Sequence, residues 1–144
     1  MTRDLKELLP SFKVKVEKLI NTVKDRGIDI IITSTYRSFI EQDDLYSQGR
    51  TKPGKIITNA KGGQSSHNIR RAVDFCILKG KKASYTCTGD YYSVGNVATK
   101  MGLEWGGNWK FKDLCHIQDL FCDVCNKKHK ISDFKETGKC KVKI

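Results

Sequence analysis

Two of the three histidines in this chain sit where a metal site could be assembled. His67 and Asp74 flank Asn68-Ile69-Arg70-Arg71-Ala72-Val73, and Asp113 precedes His116 by three residues. Imidazole nitrogens and a carboxylate are ordinary zinc ligands, and a catalytic zinc keeps three of them with one position open. A carboxylate outside the coordination sphere can then take a proton from water. The division of labour that follows is His67, Asp74 and His116 as ligands and Asp113 as general base. His67 and Asp74 alone also fit a surface histidine and a paired aspartate; the second pair is what makes a hydrolytic site of them. Arg37, in Thr35-Tyr36-Arg37-Ser38, sits where a strand hands over to a helix. There it either stabilises an oxyanion or pairs with a carboxylate as a plain structural arginine.

These side chains need elements to position them. Pro10 suits the first turn of a helix, and Phe12, Val16, Leu19, Ile20 and Val23 form an apolar stripe that Gly27 ends. The β-branched run from Ile28 to Thr33 predicts a strand. Ser38 and Glu41 have capping-box spacing for a second helix reaching about Ser47, with Gly49 beyond it. Pro53-Gly54 and Gly62-Gly63 mark a long loop or hairpin from Gly49 to Gly63. Ala72 to Leu78 reads as a buried strand whose one charge, Asp74, is costly there unless paired or metal-bound. Odd spacing along a strand points to opposite faces, so His67 must reach Asp74 from the preceding loop. Val94, Val97, Ala98 and Met101 predict a third helix stopped by Gly102. Leu103 to Trp109 predicts a strand and turn at the rim of a cleft, and Cys115-His116-Ile117 the last strand.

The 144 residues, 38% hydrophobic and 30% charged, suit one domain plus a tail. A net charge of +11 favours polyanions: nucleic acid, anionic membrane or acidic wall polymers. The lysines are dispersed, however, without a basic block or a nucleic-acid-binding motif, as on a solvated surface. Acidic residues near Met1 take the place of a signal-peptide core, and no apolar run approaches the ~18 residues of a membrane span. The expectation is a monomer made in the cytoplasm without a signal peptide, with no membrane insertion and no specific nucleic acid.

Several segments together carry a resemblance. They are Thr35-Tyr36-Arg37-Ser38, Glu41-Gln42-Asp43-Asp44-Leu45-Tyr46, Gln48-Gly49-Arg50-Thr51, Pro53-Gly54, Ser65-Ser66-His67-Asn68, Ala72-Val73-Asp74, Gly102-Leu103-Glu104-Trp105-Gly106-Gly107 and the Asp113/His116 pair. In order and spacing, from about residue 8 to 118, this set resembles the L-alanyl-D-glutamate peptidases of phage endolysins and bacterial wall hydrolases. These belong with the zinc D-Ala-D-Ala carboxypeptidases, in a group that shares its fold with hedgehog domains. The resemblance implies an α+β domain with helices against a small antiparallel sheet and a zinc cleft on the sheet. It implies one catalytic zinc on His67, Asp74 and His116, with Asp113 as base and Arg37 contacting substrate or transition state. Gln42 and Ser65 become substrate-side polar groups. The implied substrate is the peptidoglycan stem peptide, cut between L-alanine and D-glutamate, with anionic wall polymers attracted by charge. Such a lysin acts on the wall after release from the cytoplasm.

Two departures stand out. Arg70 replaces a glycine of the family pattern, where positive φ or close packing is expected and arginine supplies neither. Cys115 precedes His116 where proline is common, and reads as a structural thiol. The alternatives are a D-Ala-D-Ala carboxypeptidase, or a wall-binding protein whose cleft Arg70 has spoiled. The domain is drawn at 1–120, with an appendage at 121–144. In the appendage, Cys122, Cys125, His129 and Cys140 suit a second, structural zinc, or else unpaired or disulfide-linked cysteines.

Overall fold

The apolar stripe of the first helix sets the core. In the computed structural model, which describes residues 2–141, α1 spans Pro10–Asp25 and buries Phe12, Val16, Leu19 and Val23 completely. Each such side chain contributes roughly 1.5–3 kcal/mol through removal from water. The stripe packs on one face of an antiparallel sheet and beside α3 (Thr88–Lys100), sharing a core with Val73, Phe75, Ile77, Val94, Trp105 and Ile117.

The sheet has the order β1 (Asp29–Ser34), β2 (Ala72–Lys79), β5 (His116–Gln118), β4 (Glu104–Trp105), with β3 (Lys82–Ser84) paired to the far end of β2. This is the α+β architecture expected, with strand ends shifted by a residue or so. Alternation along β2 explains its mixed composition. Val73, Phe75 and Ile77 face the helices, while Ala72, Asp74 and Cys76 face the other way. The segment before the third helix, which has no clear periodicity, supplies that helix's first turns from Thr88.

Ser38 and Glu41 form the reciprocal cap that opens α2 (Phe39–Ser47): Glu41 N–H donates to Ser38 Oγ, and Ser38 N–H to Glu41 Oε1, each at 3.1 Å. Residues 49–63 are a loop rather than a hairpin. Arg50 organises it, donating to the carbonyls of Tyr46 and Thr58 and stacking 3.7 Å from the centre of the Tyr46 ring.

Beyond β5 the chain forms a short hairpin, β6 (Phe121–Cys122) with β7 (Lys127–Lys128), and a 3-10 turn at Ile131–Asp133. Phe134, Cys122 and Leu120 make a second small core with Ile69. That residue ends the 3-10 turn Ser66–Ile69, which carries His67.

Arg70 corrects an expectation. It lies at φ 61, ψ 28, so the left-handed conformation that suits glycine is retained with an arginine in it. That conformation costs roughly 1–2 kcal/mol for a residue with a Cβ. Arg70 Nη1 donates to the carbonyl of Glu7 at 2.8 Å and to its carboxylate at 2.7 Å, and the guanidinium lies over the Tyr36 ring at 3.8 Å. These contacts offset the strain and direct the side chain toward Glu7 and Tyr36, so Arg70 does not line the cleft. No helix among the described residues is long and apolar enough to cross a membrane.

Candidate metal centre and active site

Asp74 and His116 are direct partners across β2 and β5, which puts both side chains on the face opposite the main core. Asp74 Oδ1 lies 3.2 Å from His116 Nδ1. His67 comes from the 3-10 turn just before β2, not from a strand, and its Nε2 lies 3.2 Å from Asp74 Oδ2. The hydroxyl of Ser65 caps this turn, accepting from His67 N–H at 3.2 Å, while Asn68 Oδ1 accepts from Ser65 N–H.

The spacing fits one ion. Ligand atoms of His67, Asp74 and His116 all lie within 4.8 Å of one another. Tetrahedral bonds of ~2.0–2.2 Å place ligand atoms about 3.4 Å apart. Hydrogen bonds on the far side of each imidazole leave the inward nitrogen available. His67 Nδ1 faces the Thr35 carbonyl at 2.7 Å, leaving Nε2 for a metal. His116 Nε2 faces Gln118 Oε1 at 2.7 Å, leaving Nδ1. Gln118 Nε2 donates to Glu104 Oε2, which also accepts from Trp109 Nε1. Outer hydrogen bonds of this kind fix tautomer and ring orientation in metal sites.

The three groups also interact directly with one another. Burial pushes the Asp74 carboxyl up, but hydrogen bonds and charge from His116 and His67 outweigh it and hold the group well below the usual carboxylate range. Burial pushes His116 down, and Asp74 more than reverses this, so its pKa is raised. Arg37 is lowered by burial against the opposing charges of Asp74 and Glu41.

A cleft of about 490 Å³ opens over the three ligands, lined also by Arg37, Ser65, Trp109 and Asp113. Asp113 is exposed on its rim and outside the ligand group. Gly106 lets its loop come in close, and Gly107 makes room for Trp105. A Cβ at Gly106 would meet the Asp113 carbonyl at 2.4 Å, and one at Gly107 would strike the Trp105 indole at 2.2 Å. Trp105 Nε1 donates to the Leu114 carbonyl, fixing the approach to β5. Arg37 Nη1 donates to Gln42 Oε1 at 2.9 Å, and Gln42 Nε2 to the Ala60 carbonyl. Gln42 is buried where it lines the cleft beside Arg37 and holds that guanidinium in place. Cys115 packs on the core side of the strand, where burial and then Asp113 and Asp74 push its thiol up to about 11. It lies outside the ligand group of His67, Asp74 and His116.

The residues predicted from sequence therefore converge on one cleft, with the four tail residues gathered in a separate group. Sequence reasoning missed Gln118, Glu104 and the Thr35 carbonyl. Gln118 had a signal: two positions beyond His116 on a strand is the same face. Glu104 is its cross-strand partner. Ile131, from the appendage, also lines the cleft unexpectedly.

A peptidoglycan L-alanyl-D-glutamate endopeptidase of Bacillus subtilis, CwlK, is 40% identical over 122 residues, covering 78% of this chain and 73% of that protein. The chain belongs to the family of this L-alanyl-D-glutamate endopeptidase. An L-alanyl-D-glutamate peptidase of a Listeria phage is 27% identical, with 80% of this chain matched to 39% of that longer protein. A family profile described as D-alanyl-D-alanine carboxypeptidase matches residues 58–119, the stretch holding His67, Asp74, Asp113 and His116. The L-Ala D-Glu endopeptidase ChiX of Serratia marcescens has the same fold, with a TM-score of 0.59, 24% identity and coverage of 83% of this chain and 86% of that one. The vancomycin-resistance D,D-pentapeptidase VanY shares it too, with a TM-score of 0.58, 15% identity and coverage of 75% and 70%. In this L-alanyl-D-glutamate endopeptidase family member, the sheet positions the site: β2 and β5 present Asp74 and His116, and the turn before β2 supplies His67.

Proposed function

We propose that this protein is a zinc-dependent peptidoglycan endopeptidase that hydrolyses the L-Ala–D-Glu bond of the stem peptide. The observation that carries the reading is the convergence of His67 Nε2, Asp74 and His116 Nδ1 at the base of an open cleft with Asp113 on its rim. The donor set of two imidazoles and one carboxylate suits zinc, which supplies the Lewis acidity that makes water nucleophilic near neutral pH and polarises a carbonyl. Asp113 takes the proton of the attacking water on a carboxylate oxygen and passes it to the leaving amine nitrogen. The Arg37 guanidinium, held by Gln42, meets negative charge on the substrate or developing at the scissile carbonyl. Trp109 and Ile131 give the cleft apolar walls.

The choice of bond rests on the relatives matched over most of this chain, both of which are L-alanyl-D-glutamate peptidases by name. The carboxypeptidase description covers only the segment holding the ligands. The net charge of +11 draws the protein to anionic wall polymers, and a lysin made in the cytoplasm reaches them after release. Wall lysis by the purified protein tests the reading: EDTA abolishes it and added zinc restores it. Lysis indifferent to the chelator, or no lysis with zinc bound, refutes it.

A further inference from the structure

The C-terminal segment holds a second group whose geometry is also that of a metal site. Cys125 Sγ lies 3.7 Å from Cys140 Sγ, and Cys140 Sγ lies 3.6 Å from His129 Nε2. Ligand atoms of Cys122, Cys125, His129 and Cys140 all fall within 4.8 Å of one another. Tetrahedral zinc with Zn–S of ~2.3 Å and Zn–N of ~2.0–2.1 Å has edges of about 3.8 Å between sulfurs and about 3.6 Å from sulfur to nitrogen. The two contacts match those edges. They do not match a disulfide, whose sulfurs lie about 2.05 Å apart.

The surrounding chain is arranged around these four atoms. Cys122 and Cys125 flank the tip of the β6–β7 hairpin, where Asn126 adopts φ 55 to turn the strand back. Cys125 N–H points at Cys122 Sγ at 3.5 Å, a contact that favours a thiolate. Asp133 Oδ2 lies 3.4 Å from His129 Nδ1, so the other nitrogen, Nε2, faces the sulfurs. A bridge between Phe134 and Cys140 returns the fourth ligand. Three thiolates on a dication leave one net negative charge, and the buried Arg71 guanidinium is close by. It donates to the carbonyls of Gly138, Asp119 and Phe121 and stacks over Phe134 at 4.1 Å.

We propose that Cys122, Cys125, His129 and Cys140 hold a second zinc ion, structural and closed to substrate, which folds residues 121–141 against the end of the turn that carries His67. The apolar contacts there are few, centred on Ile69, Leu120, Cys122 and Phe134. So small a cluster needs a metal or a cross-link to be stable. The ion's binding free energy then becomes folding free energy for the segment. Two consequences reach the cleft: Ile131 is held in its wall, and Ile69 is braced at the end of the turn that carries His67.

Metal analysis of the dialysed full chain tests this independently of catalysis. The wild type binds two zinc ions; His67→Ala retains one, in the tail; the Cys125→Ser/Cys140→Ser double variant retains one, in the cleft. Replacement of zinc by cobalt gives a thiolate-to-cobalt charge-transfer band in wild type and in His67→Ala, because the cleft site contains no sulfur ligand. This spectrum decides the matter even if the double variant fails to fold. The proposal is overturned if His67→Ala carries no metal, if the cobalt protein lacks the thiolate band, or if mass analysis finds the tail cysteines in a disulfide. Failure of wall lysis with two ions bound would count against the proposed activity and leave this site standing.

Discussion

Gln118→Leu isolates the contribution of outer hydrogen bonding to the metal centre. Gln118 lies at the base of the cleft behind His116; its Oε1 accepts from His116 Nε2 at 2.7 Å and its Nε2 donates to Glu104 at 3.0 Å. Leucine fills similar volume but leaves Ser66 Oγ, at 3.2 Å, as the remaining partner of that imidazole nitrogen. The ring is then free to present the wrong tautomer to the metal. Loss of an outer-shell partner lowers metal affinity about 10–100-fold, or roughly 1.4–2.7 kcal/mol. Zinc affinity measured by competition with a chelator of known strength should fall by that factor, while circular dichroism remains native. Wild-type zinc affinity in a folded Gln118→Leu protein would refute the reasoning.

Asp113→Asn should lower kcat for wall-peptide hydrolysis by about 10²–10⁴-fold with zinc content unchanged, as removal of a general base does; a parallel loss of zinc would make Asp113 a ligand instead. Arg70→Ala should destabilise the fold by ~1–2 kcal/mol, because the ion pair is partly exposed and the strain at φ 61 stays. Arg70→Gly should lose less, since glycine recovers about 1 kcal/mol of that strain; urea unfolding that ranks glycine below alanine contradicts this. The metal-stripped protein should be most stable between pH ~4 and ~6.5. The raised pKa of His116 stabilises fully below its unfolded value and is lost as pH rises through the folded one. The depressed pKa of Asp74 stabilises above its unfolded value and is lost as pH falls through the folded one. Thermal unfolding of the chelated protein across pH checks this, and Asp74→Asn should flatten the profile.

What the sequence made legible was local or strictly periodic. The stripe of α1, the capping box at Ser38 and Glu41, and the buried run around Asp74 each state their structure within a few residues, and the spacing of His67 and Asp74 required a loop-borne histidine. The unread features depend on contacts between distant segments. The cross-strand pairing of Glu104 with Gln118 follows from register, and the Thr35 carbonyl that meets His67 lies just past a register shift between Ile32 and Ser34 in the pairing of β1 with β2. Arg70 is the clearest case. Its type argues against positive φ, and Glu7 and Tyr36, far away in sequence, are what hold it there.

The central claim concerns one bond. Purified muropeptides digested by the zinc-loaded protein and resolved by mass should be cut after L-alanine, leaving L-alanine on the sugar and giving peptides that begin with D-glutamate, and EDTA should stop their appearance. Release of free D-alanine with the L-Ala–D-Glu bond intact would contradict the account and make the protein a carboxypeptidase.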